Sequence, residues 1–540
     1  ICITKKGMKC VYKNYLQSIF LYDLLLFAEA LLFNVIYIFA NKQFSVSLVI
    51  HTLVVLIIYF LLCILSAIFI GFFLSKIKVR FVSYIIMLII AISETNLMDS
   101  LSVGVYNSTG TDITKSLKFF NMVPASIGWT PNMHSGYIIT LDKLSQILFF
   151  IFLALLFCCL TDNEISKNNK ILKSTICSCL CVITLVGYIL PFSAPQMNLS
   201  ASGVSADKRY YENNEQLSET ADFRVDSYDL EFNFRNDLNA IATIKTDNYK
   251  NEYKFTLYHG YKISKITDGN NDELDYTRDS DYLTINNTSK SKLIKIYYHG
   301  SCDKYYSNYL SAFLPGNFAF YPIPGFNEMY SKYSYSGFNN LSLPYETDFN
   351  VTVHSLKKVQ CNLESVTNNE FKGKSDSLTL LSGFIDCVTV DKTQIYYPYF
   401  NDAYNSDTIN EKLETFVSKN PNIKKIFIIP DINLEDIEFV KTFNDYMITA
   451  SIDDIDRLGF ISKISANKME LYDAVNAYMN YPEYFEFLKE NSSEELQKAI
   501  PVLEEVLKND NDCKKLEKIN GYLIDNADER SFSEFLCELR

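Results

Sequence analysis

The chain has 540 residues, 48% of them hydrophobic and 21% charged, with a formal net charge of −13 and a mean hydropathy of +0.01. That length and composition exclude a disordered or collagen-like chain. The averages join two unlike parts: residues 1–192 carry a net charge of +6 and residues 193–540 one of −19. An apolar, mildly basic stretch precedes a polar, acidic one, and the acidic part argues against a nucleic-acid partner, because phosphate binding needs positive surface.

A membrane-crossing helix needs about 20 apolar residues. Five stretches qualify, at roughly 17–40, 46–74, 81–98, 139–160 and 172–192, so residues 1–193 are expected to form an α-helical transmembrane bundle. The third is the weakest, its apolar run ending near Glu94. The first contains Asp23, which can sit at the interface, and Glu29, the acid well inside the run. An acid inside a span is a functional candidate by default, which makes Glu29 the intramembrane residue to test. Lysines and arginines alternate by loop. Lys5, Lys6, Lys9 and Lys13 precede the first span, Lys76, Lys78 and Arg80 follow the second, and Lys167, Lys170 and Lys173 follow the fourth. The positive-inside rule places these on the cytoplasmic side and residues 194–540 outside. A multi-pass protein of a bacterial cell membrane is expected, the Ile-, Asn- and Lys-rich composition resembling that of an AT-rich bacterial genome. No segment reads as a cleavable signal peptide. The chain starts at Ile1, so an incomplete or processed N-terminus is expected. The loop 99–137, with Gly104, Gly110, Pro124, Gly128 and Pro131, is long enough to fold back into the membrane surface or form a small cap.

Eight of the thirteen cysteines precede residue 182, several inside apolar runs, and read as small hydrophobes rather than ligands. Cys177, Cys179 and Cys181 have neither zinc-site spacing nor a nearby histidine. The remaining five are no disulfide framework, although Cys361 and Cys387 could pair.

Residues 194–224 are polar and turn-rich and read as a linker. Beyond them, Tyr228–Phe234, Ala240–Ile244, Tyr282–Ile285, Leu293–Tyr298 and Phe349–Val353 alternate in hydropathy between Asn/Asp/Gly clusters. Such runs indicate antiparallel strands, here an all-β sandwich or saddle over 225–400. From 401 to 540 a small α/β-to-α-helical domain is expected: a helix near 409–417, a strand at 425–430, a further segment 435–446 and helices near 465–480, 483–490, 492–508 and 511–525. Ser492 and Glu495 offer a capping box.

The β-region resembles the N-terminal domain of the aminopeptidase N family of gluzincin metallopeptidases. Val225–Leu230 is similar to the family's opening strand, Phe255–Ile263 to the next strand pair, and Ile294–Gly300 to the strand ending in Tyr-x-Gly. Tyr321–Glu328 resembles the Phe-Pro-Cys-Phe-Asp-Glu segment, and Asp348–Val353 the strand after it. The resemblance covers about a third of the chain. It implies a zinc site built on His-Glu-x-x-His with a downstream Glu, and a Gly-x-Met-Glu-Asn strand for the substrate amine. This chain departs from both. Its histidines are His51, His134, His259, His299 and His354, none beyond residue 354, and Gly325–Met329 has the wrong order for the amine-binding strand. A degenerate, non-catalytic relative is implied, with no catalytic residue, no metal ligand and no cofactor; the chain leans away from being an enzyme. A metal pair of His259 and His299, each before a glycine, is the weaker alternative to ordinary strand-end residues. Gly373-Lys-Ser375 mimics the end of a P-loop but has Asn368 where the first Gly is required. The aromatic run through Tyr305, Tyr309, Tyr321, Phe326 and Glu328 is a candidate ligand groove, against the plainer reading that it packs a β-surface.

Spans followed by an aminopeptidase-like domain resemble bacterial ABC exporter permeases fused to such domains. That resemblance implies a permease-like subunit, a separate ATPase chain (no Walker motif is present), a lipid bilayer around the helices and a peptide as possible ligand. The alternatives are a membrane-anchored extracytoplasmic binding or sensory protein, and a zinc aminopeptidase with an incomplete site.

Overall fold

The computed structural model describes residues 5–40, 46–122, 139–161, 167–190, 206–330, 338–399, 406–429, 440–452, 468–508 and 514–540, apart from scattered positions within these ranges. The chain divides into two compact units, Ile1–Gly203 and Val204–Arg540.

The first unit is helical: α1 (Lys5–Ala40), α2 (Val46–Ser75), α3 (Arg80–Ser93), α4 (Leu97–Thr109), α5 (Leu141–Thr161) and α6 (Lys167–Ile189). Among the described residues, four stretches are long and apolar enough to cross a membrane: Gln17–Ala40, Val46–Ser75, Leu141–Thr161 and Asn168–Ile189. The third expected span is shorter. α3 has 14 residues, a rise of about 21 Å against a hydrocarbon core of about 30 Å. Hydrophobicity continues to Glu94, but there the chain turns: the Glu94 carboxylate accepts the backbone N–H of Met122 at 3.0 Å. Gln146, 1% exposed, donates to the carbonyls of Phe119 and Asn121 at 2.7 and 2.8 Å, and the Lys143 ammonium also donates to Asn121. Met122 is buried beside Cys63 and Ser66, in the middle of α2. Part of the 99–137 loop therefore returns among the helices, where side chains of Glu94, Lys143 and Gln146 engage the backbone of Phe119, Asn121 and Met122. Pro124, Gly128 and Pro131 lie outside the described residues. The unit's apolar core joins α2 and α5 through Ile58, Cys63, Ile147 and Ile151. Residues Leu56–Leu62 of α2 are π-helical.

The second unit opens with α7 (Ala206–Asn213), a helix inside the stretch read as a linker; 194–205 lie outside the described residues. A seven-stranded sheet follows, in the spatial order Glu364–Thr367, Glu370–Ser375, Thr347–His354, Val225–Phe234, Leu238–Thr246, Leu293–Gly300 and Tyr261–Asp268. Its pairs are antiparallel except Val225–Phe234 with Thr347–His354. The alternation seen in sequence has its cause here. Tyr228, Leu230, Phe232 and Phe234 face the core while Asp229 and Glu231 face solvent, as a sheet covered on one side requires. Gly373 lies in a strand opposite Phe349, so the P-loop mimic is ordinary sheet. A four-stranded and a three-stranded sheet complete the β-region, sharing a core that extends to Tyr396, Phe427 and Tyr446.

Strands Ile385–Val390 and Thr393–Pro398 belong to a five-stranded sheet with Lys425–Ile428, Tyr446–Thr449 and Val440–Thr442. Helix α8 (Ser406–Lys419) covers it with Ile409, Leu413 and Val417, four residues apart on one face. Residues 440–442, inside the expected segment 435–446, are strand; 430–439 lie outside the described residues. The chain closes with α9 (Met469–Asn480), α10 (Pro482–Asn491), α11 (Glu494–Lys508), α12 (Lys514–Ile524) and α13 (Phe532–Leu539), packed about Leu471, Leu496, Leu503 and Leu523. The cap of α11 is Ser493, whose hydroxyl accepts the Leu496 N–H at 3.3 Å. Ser492, expected to cap, bonds back to Leu488. The capping box forms instead at Ser531 and Glu534, ahead of α13.

Candidate functional site

A dense polar constellation among the described residues of the second unit surrounds His259. Strand Glu252–Thr256 ends two residues before Tyr258, and strand Tyr261–Asp268 begins two after His259, so the intervening turn projects both rings toward α7. Tyr210 of α7 stacks on the imidazole at 3.6 Å and 10°. Nδ1 lies 3.1 Å from Asp281 Oδ1, the oxygen that also accepts the His259 backbone N–H at 2.6 Å. Nε2 lies 3.7 Å from Asp207 Oδ1, which accepts the Tyr258 hydroxyl at 2.5 Å. Both carboxylates are buried, Asp207 to 3% and Asp281 to 1% exposure. Behind the turn the Arg278 guanidinium donates to the carbonyls of Leu257, Tyr258 and Tyr261. Burial pulls that guanidinium below its ordinary value, against the pull of Asp281, and pushes the Tyr258 phenol well above its own.

An imidazole facing one carboxylate on each nitrogen can bridge them, because the protonated ring has two donors. Nucleophilic catalysis would need a hydroxyl or thiol aligned on the ring. The Tyr211 hydroxyl lies 3.4 Å from Nδ1, but burial pushes that phenol well above its ordinary value, and the nearby Ser280 hydroxyl is paired with Tyr210 at 2.5 Å. Cys302 is buried and burial pushes its thiol up. The constellation fastens α7 to the β-region. The exposed signal in sequence was only His259-Gly260; Asp207 lay in a segment without periodicity.

The other histidines of this unit stand apart. His299 Nδ1 lies 3.7 Å from Asp237, and His354 Nε2 lies 3.1 Å from Glu231. In the sheet, His299 is opposite Asn239, Asn239 opposite Asn233, and Asn233 opposite His354. Three interstrand steps separate the two histidines by about 14 Å, whereas zinc ligands lie about 2 Å from their metal. His259 and His299 likewise turn to different acids. Among the described residues no group of three or more His, Cys, Asp or Glu is arranged to hold a metal ion. Cys361 is buried, Cys387 is exposed and both are free thiols; burial pushes the Cys361 thiol up to about 12.

The five groove candidates differ in burial. Tyr305 and Tyr321 are core residues, 3% and 0% exposed, the first against Phe313, Phe318 and Phe338, the second against Tyr228, Phe320 and Phe349. Both rings are packed into the core of the β-region. Tyr309 and Phe326 are half-buried, Phe326 under the Lys254 ammonium, and Glu328 is exposed.

In the first unit, Glu29 lies on the exposed side of α1. Asp23 faces inward. It is 1% exposed, and neither carboxylate oxygen has a hydrogen-bond partner among the described residues. Asp23 and Ile38 are the buried side chains among those described on α1, which packs against the π-helical segment of α2.

No protein-family model matches this sequence, and no curated protein matches it. Among solved structures the chain is similar to native yeast LTA4 hydrolase, at 12% identity over 59% of this chain and 57% of that one, with a TM-score of 0.33. It is also similar to the M1 zinc metallopeptidase from Deinococcus radiodurans, at 10% identity over 52% of this chain and 74% of that one, TM-score 0.31. A third is an aminopeptidase N family protein from Idiomarina loihiensis, at 10% identity over 48% of this chain and 47% of that one, TM-score 0.29. The chain thus spans about half the length of the first and third of these. At such scores and identities the activities named belong to those proteins.

Proposed function

We propose that this chain is a membrane-embedded, permease-like subunit of an ABC-type exporter whose second unit, outside a bacterial cell membrane, binds a peptide rather than cleaving it. The observation that carries the non-catalytic half is the dispersal of histidines: His259 faces Asp207 and Asp281, His299 faces Asp237 and His354 faces Glu231, and no histidine follows residue 354. A His-Glu-x-x-His site needs two imidazoles one helical turn apart, and α9 to α13 contain none. The membrane half is supported by four helices long and apolar enough to cross a bilayer and by the alternation of basic loops.

The exporter assignment rests on the order of spans and outer domain and requires an ATPase on another chain. Purification of the full-length protein from its native membrane in mild detergent tests it. A nucleotide-binding chain that co-elutes and hydrolyses ATP supports the reading. A complex without any nucleotide-binding chain removes it.

A further inference from the structure

We infer that the membrane unit binds a single-chain anionic amphiphile, such as a fatty-acid carboxylate, between α2 and α3. The inference does not depend on the exporter assignment. A cavity of about 650 Å³ lies along the C-terminal half of α2 and the facing side of α3. Its walls are mainly aliphatic and thioether groups, Ala67, Ile70 and Leu74 from α2 and Met87, Ile90 and Ala91 from α3, with the Tyr84 ring beside them. Pockets of this size and lining take small ligands.

The two ends differ chemically. At one end stand Arg80, Ser75 and Ser83. Arg80 makes no ion pair among the described residues, while the hydroxyls of Ser75 and Ser83 bond to backbone carbonyls of α2. At the other end stand Cys63, Met122 and Glu94, with the Glu94 carboxylate engaged by the Met122 N–H. A cation without an ion pair among the described residues at one end, and an open apolar groove ending at an engaged acid, fit a ligand with an anionic head and one hydrocarbon tail. A guanidinium pairs a carboxylate or phosphate in a bidentate manner, and the sequence places Arg80 in a basic loop with Lys76 and Lys78, where anionic headgroups are favoured.

The wall also offers a clean means of closing the cavity. Gly71 lines it, and a Cβ built there meets nothing within 4 Å. A larger side chain at this position, as in Gly71→Leu, starts from open space into the lined volume, and leucine favours helix over glycine.

The experiment uses the full chain in lipid nanodiscs and a photoactivatable fatty acid with a terminal diazirine, with adducts mapped by mass spectrometry. The matched fatty alcohol is the neutral control. Adducts are expected on α2 and α3 lining residues. About a tenfold loss of labelling is expected for Gly71→Leu, for Arg80→Gln and for the alcohol, tenfold being about 1.4 kcal/mol. Thermal unfolding should be no lower for Gly71→Leu than for the parent, which separates occlusion from misfolding. Adducts that persist in Gly71→Leu, or equal labelling by acid and alcohol, would overturn the assignment. Adducts scattered over all lipid-facing helices would do the same.

Discussion

His259 and Asp281 meet twice: one carboxylate oxygen accepts the histidine's backbone N–H at 2.6 Å and faces its Nδ1 at 3.1 Å. With Asp207 opposite the other nitrogen, this fixes α7, the first described element of the second unit, to the β-region. His259→Ala leaves two buried carboxylates without their common neighbour, a loss of about 1–3 kcal/mol. Amide hydrogen exchange should accelerate across Ala206–Asn213 while the strand Val225–Phe234 stays protected. Unchanged exchange in α7 would show that the histidine does not hold it.

Gly300 closes the same region from below. Its φ of +151° disfavours side chains, and an added Cβ would lie 2.0 Å from the Gly260 carbonyl oxygen. Gly300→Ala should destabilise the second unit by on the order of 2–4 kcal/mol, read as a lower denaturant midpoint. A midpoint equal to that of the parent would count against the close pairing of Gly300 with Tyr261.

Lys357 sits with its ammonium 3.4 Å from the Phe384 ring centroid, and burial lowers its pKa to about 8. The unfolded ammonium keeps its ordinary value near 10.5. Between about 8 and 10.5 the unfolded chain therefore holds a proton that the folded chain has released, and stability rises with pH. Below pH 8 both states hold it and the whole burial penalty stands. Lys357→Met should raise the unfolding temperature at pH 7, with the difference shrinking toward pH 10. A difference independent of pH would refute the burial of the charge.

α3 decides the topology. If it completes the third crossing, five spans place the second unit outside; if it does not, four spans place it inside. Alkaline phosphatase fused after residue 203 is expected to be active, and a green fluorescent protein fusion at the same point dark. The reverse pair of results would put the second unit in the cytoplasm.

Much of the β-region is legible because one face is buried: Val225–Phe234 alternates in sequence as it does in burial. The helix face Ile409, Leu413 and Val417 is legible for the same reason at a different period. α7 is not, because it docks through Asp207, Tyr210 and Tyr211, whose partners lie some 50 to 120 residues away at His259, Asp281 and Tyr330. Hydropathy marks the first span but not its rotation, so it could not tell that Asp23 turns inward and Glu29 outward. Nor could it show that the third apolar run ends at a returning chain, since the Glu94 to Met122 contact joins residues 28 apart. The aromatic run is ambiguous for a related reason: tyrosine suits a binding face and a β-core alike, and only the fold shows that Tyr305 and Tyr321 are buried.

The most direct test of the central claim is the zinc content and peptidase activity of the purified full-length chain, measured together. The dispersed histidines predict no stoichiometric zinc and no chelator-sensitive hydrolysis of aminoacyl substrates. One tightly bound zinc per chain, with peptidase activity lost on chelation and restored by zinc, would contradict it.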